Sequence, residues 1–161
     1  MTHRMMAVFA VALMAVPAMV QGQSTVTATA TIDQFFEVTG SGDISFGDLS
    51  RTADNVIDAA GGTGAATRTV SFNHNVNVSF TNIAANLTSG TLTLPITLRC
   101  AVNDGSWGTA EDCSGASFDL DVGTGLTNAT LGFGGIITEA AAAAAVAGSY
   151  SGSLDILVVA R

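Results

Sequence analysis

Apolar and polar residues alternate strictly through Ser24-Thr25-Val26-Thr27-Ala28-Thr29-Ala30-Thr31-Ile32. Successive side chains of a β-strand point to opposite faces, so Val26, Ala28, Ala30 and Ile32 line one face and threonines the other. Such a segment is either a first edge strand that folds back on its own sheet or a strand lent to a neighbouring subunit. The same period returns along the chain. Ile44 and Phe46 share a face within Asp43-Ile44-Ser45-Phe46-Gly47-Asp48-Leu49, after a continuation of the first strand over Phe35 to Val38. Arg68, Val70 and Phe72 share another, the pattern breaks at Asn73-His74-Asn75 in a turn or bulge, and Val76, Val78 and Phe80 resume it. In residues 91–99, Leu92, Leu94, Ile96 and Leu98 all face one way. Pro95 faces out and has no N–H to donate, which places that strand at an edge or a bulge.

Phe118, Leu120 and Val122 alternate with Ser117, Asp119 and Asp121, a strand with one wet face. Near the C-terminus Leu154, Ile156 and Val158 alternate, while Leu157 and Val159 between them are apolar too, as expected of a strand that is central or capped by a partner. Polar, glycine-rich connections separate these runs at 51–66, where Val56 and Ile57 can form a short strand, and at 82–90. Only the alanine-rich stretch Glu139 to Ala147 favours helix, and it is too short to be stable alone. About seven to nine short strands with turn signals between them predict an all-β, antiparallel β-sandwich.

The N-terminus reads differently. A basic start ending at Arg4, an apolar run from Met5 to Val16 and a polar turn from Pro17 have the form of a signal peptide helix, with cleavage after Gly22. The apolar run is shorter than the ~20 residues a membrane span needs. The expected organisation is therefore a signal peptide over 1–22 and a single sandwich domain over 23–161, with 23–33 as candidate donor strand. The exported part is expected to have no membrane association after signal removal.

Charge and cysteines sharpen the picture. Thirteen acidic residues face only arginines, since the chain has no lysine, and such an acidic surface argues against nucleic acid as a partner. Cys100 and Cys113 are the two cysteines. In an oxidising compartment they are expected to bridge, stabilising the fold by about 3 kcal/mol through lost chain entropy in the unfolded state. Without a histidine cluster they make a poor metal site.

Catalytic chemistry is not expected. His74 is the one histidine after the signal segment and reads as a surface or turn residue, and no activated-nucleophile pattern surrounds any serine. Asp119 with Asp121 reads as the wet face of a strand rather than a carboxylate pair for catalysis. Asn103-Asp104-Gly105 with Glu111 and Asp112 lacks the periodicity of a calcium loop. Gly132, Gly134 and Gly135 have no phosphate-loop context and read as turn or bulge glycines. No catalytic residue, metal or cofactor is expected.

Two segments carry a resemblance. The run Thr25 to Thr31 leading into Asp43–Leu49 with its Phe46-Gly47, and the closing Ala147-Gly148-Ser149-Tyr150-Ser151-Gly152-Ser153-Leu154, resemble secreted bacterial β-sandwich proteins of the fimbrial-subunit and spore coat protein U-like type. In those proteins an FG pair follows the first strands and a G-[ST]-Y-[ST]-G motif precedes the last one. The resemblance implies an immunoglobulin-like sandwich, secreted or held at the cell surface by way of the periplasm in a Gram-negative cell, and assembled into a filament, pilus or coat. It leaves Arg51 to Ser114 unmatched. The resemblance also implies an assembly chaperone as a possible partner, although the cysteine pair departs from fimbrial subunits, in which a cysteine usually lies near the mature N-terminus.

The leading expectation is a structural subunit that self-associates into a homopolymer by donating Val26, Ala28, Ala30 and Ile32 to the next copy. Head-to-tail contacts of that kind do not close and so make fibres. The alternative is a monomeric secreted binding module for carbohydrate or surface adhesion. Trp107, the single tryptophan, would then be its contact unless it packs within its own loop.

Overall fold

The computed structural model describes residues 29–161. The expected signal peptide, 1–22, lies outside the described residues, as do Val26 and Ala28. Eleven strands and one α-helix follow in the order β1 (Phe36–Thr39), β2 (Asn55–Ile57), β3 (Ala66–Phe72), β4 (Val76–Thr81), β5 (Asn86–Ser89), β6 (Leu92–Pro95), β7 (Thr97–Asn103), β8 (Glu111–Asp112), β9 (Ser117–Leu120), β10 (Asn128–Ile137), α1 (Glu139–Ala144) and β11 (Asp155–Ala160). Every strand pair among them is antiparallel. The fold is the expected all-β sandwich.

A six-stranded sheet runs β1-β3-β10-β7-β8, with β2 replacing β3 beside the C-terminal end of β10. A three-stranded sheet, β11-β4-β9, forms the other layer, and β5-β6 is a separate hairpin. The layers are joined by one uninterrupted alternation. Val70 and Phe72 of β3, His74 in the bend, and Val76, Val78 and Phe80 of β4 are all buried, so the inward phase passes through the bend without slipping. The break at Asn73-His74-Asn75 is thus a turn that carries the chain from one sheet to the other. His74 lies in that turn but is 8% exposed rather than at the surface, because its even-numbered position points inward beside the ring of Phe36. Asn73 ties down the start of β1: its Oδ1 accepts from the Phe35 N–H at 2.8 Å and its Nδ2 donates to the Asp33 carbonyl at 2.8 Å. Across the core, Phe80 meets Phe133 of β10 edge-to-face, with ring centroids 5.7 Å apart.

The run from Leu92 to Leu98 divides at Pro95. Leu94, Ile96 and Leu98 all stay buried on one face, as the alternation requires, yet β6 pairs with β5 while β7 pairs with β10. Proline cannot donate to a ladder, and the chain changes partners there. Divisions of this kind, with the short β2, β5 and β8, raise the strand number above the expected seven to nine. The 82–90 connection itself contains β5. By contrast Asp43–Leu49 forms no strand, although Ile44 and Phe46 do share a core-facing side.

Gly132 and Gly134 are not turn glycines: they lie inside β10, a strand with neighbours on both sides. A side-chain carbon at Gly132 would overlap the Ala59 carbonyl oxygen and the Trp107 ring, and one at Gly134 the Ile57 carbonyl oxygen. The segment after β2 therefore crosses the outer face of β10 at a distance only glycine permits.

Cys100 of β7 and Cys113 are disulfide-bonded and buried, with Cα atoms 5.2 Å apart. The turn after β8 is shaped by the Ser114 N–H donating to Asp112 Oδ1 at 2.9 Å. That bond, the Ser114 hydroxyl and the Arg99 charge hold the Asp112 carboxyl below its usual range.

Two outcomes follow from this packing. Replacing Cys100 and Cys113 by serine lowers the unfolding free energy by about 3 kcal/mol in urea titrations. Gly134→Val costs about 3 kcal/mol or more in the same measurement, because backbone and not a movable side chain fills the space, whereas Val159→Thr on the exposed face of β11 leaves the midpoint nearly unchanged.

Candidate functional site

The inner face of the six-stranded sheet is wider than β11-β4-β9 can cover. Along the remaining strip opens a groove of about 950 Å³, in the size range of ligand-accepting sites. Its deepest lining is apolar and belongs to the core: Leu94 and Ile96 near the β6–β7 junction, Leu98 of β7, and Phe133 and Ile137 of β10. Ile156 of β11 borders it as well.

Its two walls are the segments that carry the family resemblance, Asp43–Leu49 on one side and 147–154 on the other. The second wall is pinned to β5. Thr88 and Ser151 exchange both backbone hydrogen bonds, at 2.8 and 3.0 Å, and the Ala84 N–H donates to the Ser153 carbonyl at 3.0 Å. The Tyr150 hydroxyl donates to the Val146 carbonyl at 2.7 Å and braces the approach to this wall. The first wall is held by side chains instead. Ile44, Phe46 and Leu49 pack half-buried against the core, while its backbone makes one ladder-like bond, Ser45 N–H to the Gly64 carbonyl at 3.0 Å.

Arg51, just beyond the first wall, fixes that end of it. Its Nε donates to the Ala142 carbonyl at 3.2 Å and its Nη2 to those of Ala143 and Ala145 at 3.0 and 2.6 Å. The last carbonyls of a helix have no partner within it, so a cation there satisfies them and opposes the helix dipole. At the other end of α1, the Thr138 side chain accepts from the Ala141 N–H at 3.3 Å and caps the helix.

Among the described residues β11 pairs with β4 alone, so within them it is an edge strand and not a central one. Its apolar residues on both faces are explained by position: Ile156 and Val158 pack against the core, while Leu157 and Val159 are 46% and 48% exposed. An edge with unpaired N–H and C=O groups and apolar side chains is a template for another strand.

The other residues singled out from sequence fall elsewhere. Ala30 and Ile32 are exposed and belong to no strand, Ile32 at 85%. Trp107 packs within the fold, its ring over Gly132 and beside Gly61 on the outer face of β10. Asp119 pairs with Arg161 at 2.9 Å, while Asp121 accepts from the Gly123 N–H to cap a short 3₁₀ turn, so the two carboxylates serve separate local structures. Among the described residues no group of three or more His, Cys, Asp or Glu side chains is arranged to hold a metal ion. The groove lining was not recognised from sequence, because Leu94, Ile96 and Phe133 read simply as core.

These features define an all-β sandwich with an open apolar groove beside a free strand edge. No family model matches the chain, and no curated protein matches it. One solved structure, described as "Chaperone-tip adhesin complex is vital for synergistic activation of CFA/I fimbriae biogenesis", aligns with a TM-score of 0.48 at 12% identity over 78% of this chain and 41% of that one. This chain therefore spans less than half of that neighbour, and a likeness so loose carries no reading of function. Among the described residues no helix is long and apolar enough to cross a membrane.

Proposed function

We propose that this chain is an exported structural subunit of a surface filament, pilus or coat, polymerising when the N-terminal segment of one copy fills the groove of the next. The observation that carries this reading is the groove itself, a cleft with an apolar floor bordered by Ile156 of β11, which among the described residues is an edge strand. A strand entering there adds its backbone to the edge and its alternate side chains to the core. The segment 24–32 has the composition for it, with Val26, Ala28, Ala30 and Ile32 on one face and no charge before Asp33. In this reading the chain has no catalytic role, its partner is another copy of itself, and it works outside the cell.

Electron microscopy and unboiled gels of the exported, processed protein test the proposal. Fibres or ladders are expected from the wild type and lost when Ala28 and Ala30 are both changed to Asp, because two carboxylates cannot be buried unpaired. A wild type that stays monomeric at high concentration, with 24–32 resistant to protease, overturns it.

A further inference from the structure

The first wall of the groove is built unlike the second, and the difference suggests that it moves. We infer that Asp43–Leu49 is an internal plug, occupying part of the acceptor groove in the free subunit and displaced when the strand of a second copy enters. This inference rests on the strand-donation reading and adds to it a contact by which the subunit holds its own groove partly closed.

Four observations carry it. The segment copies the donor pattern in short form: Ile44 and Phe46 face the core while Asp43, Ser45 and Gly47 are exposed, the same inward period of two as Val26 to Ile32. Phe46 has a dedicated seat, since a side-chain carbon at Gly135, on the core side of β10, would lie 3.3 Å from both Phe46 Cζ and Ile96 Cδ1. The backbone is nearly free, joined to the rest of the described residues by the one bond from Ser45 to Gly64. Displacement therefore breaks little of a ladder, whereas the incoming strand gains a whole edge of β11.

Glycines, finally, flank Ile44 and Phe46 as joints. Gly42 and Gly47 have φ of +96° and +61°, and nothing lies within 4 Å of where a side chain would start at either, so the chain there can turn without meeting a neighbour. Beyond the second joint Arg51 stays anchored on the carbonyls of α1. A segment with fixed ends, glycine joints and side-chain anchorage can swing out without unfolding the sandwich. The opposite wall, laddered to β5, cannot do so without breaking strand pairing.

The test uses the processed chain carrying Ala28→Asp and Ala30→Asp, which cannot polymerise, and a fluorescent synthetic peptide of residues 23–33. Capture is followed by anisotropy, and exposure of the plug by chymotrypsin cleavage after Phe46. The plug predicts that cleavage after Phe46 rises on capture, and that Phe46→Ala speeds capture by about tenfold by lowering the barrier to displacement. Phe46→Leu, which keeps an apolar side chain in the seat and so protects the fold, is expected to lie between. Capture with unchanged cleavage and equal rates in all three chains overturns the plug and leaves strand donation standing. Absence of capture in every chain overturns both.

Discussion

Two layers of unequal width decide most of this structure. Since β2 and β3 share one place beside β10, the larger sheet is five strands wide and the smaller three, a shortfall of two strand spacings or about 10 Å. An apolar sheet face left in water is unfavourable by about 25 cal/mol per Å². The chain answers with what it has: the β5-β6 hairpin, the wall 147–154, α1 with its Ala142 buried, and the extended Asp43–Leu49. None of these is a strand of the smaller sheet, and the groove is what their irregular cover leaves open.

The widths are held by details on the far side of β10. Gly132 and Gly134 let the segment from Ile57 to Ala59 pass close against that strand, and Trp107 closes over the same spot. The outer face of β10 is therefore covered at this spot by the chain's own backbone and Trp107. The disulfide adds to these details, because it fastens β7 to the loop after β8, with the Cys113 N–H donating to the Leu98 carbonyl at 3.1 Å, and so stiffens the strand that carries Leu98 into the groove.

Period-two patterning made the sandwich legible in sequence, together with most strand faces, including the inward phase from Val70 to Phe80 and from Leu92 to Leu98. Partners were not legible. Alternation says which way a side chain points but not which strand lies alongside, so the change of partner at Pro95, the passage between sheets at His74 and the edge position of β11 emerged only from the pairing. Local residue type misled at Gly132 and Gly134, because a turn and a close crossing both select glycine and only the second depends on a segment more than 70 residues away in sequence. The groove was not legible from its residues: the motifs around Phe46-Gly47 and Tyr150 implied a type of family rather than a site, and the apolar lining looked like ordinary core.

If the chain assembles by strand donation as proposed, the asymmetry of the walls also bears on how a free copy avoids premature pairing. An open groove beside a bare edge invites pairing with any strand, which is the hazard of every incomplete sheet. A fully laddered cover would remove the hazard but would have to be unpaired before a donor could bind, at the loss of several hydrogen bonds. Side-chain cover with a nearly free backbone lies between these extremes. Ile44, Phe46 and Leu49 bury apolar area, yet among the described residues the Ser45–Gly64 bond is the one rung to break, so in the proposed exchange ladder formation along β11 outweighs ladder loss. Asp43 and Asp48 on the outward side keep the same segment wet and discourage it from donating itself to a neighbour. The balance requires the plug to be shorter than the strand that replaces it, and it is: two inward positions at a spacing of two, Ile44 and Phe46, against four from Val26 to Ile32.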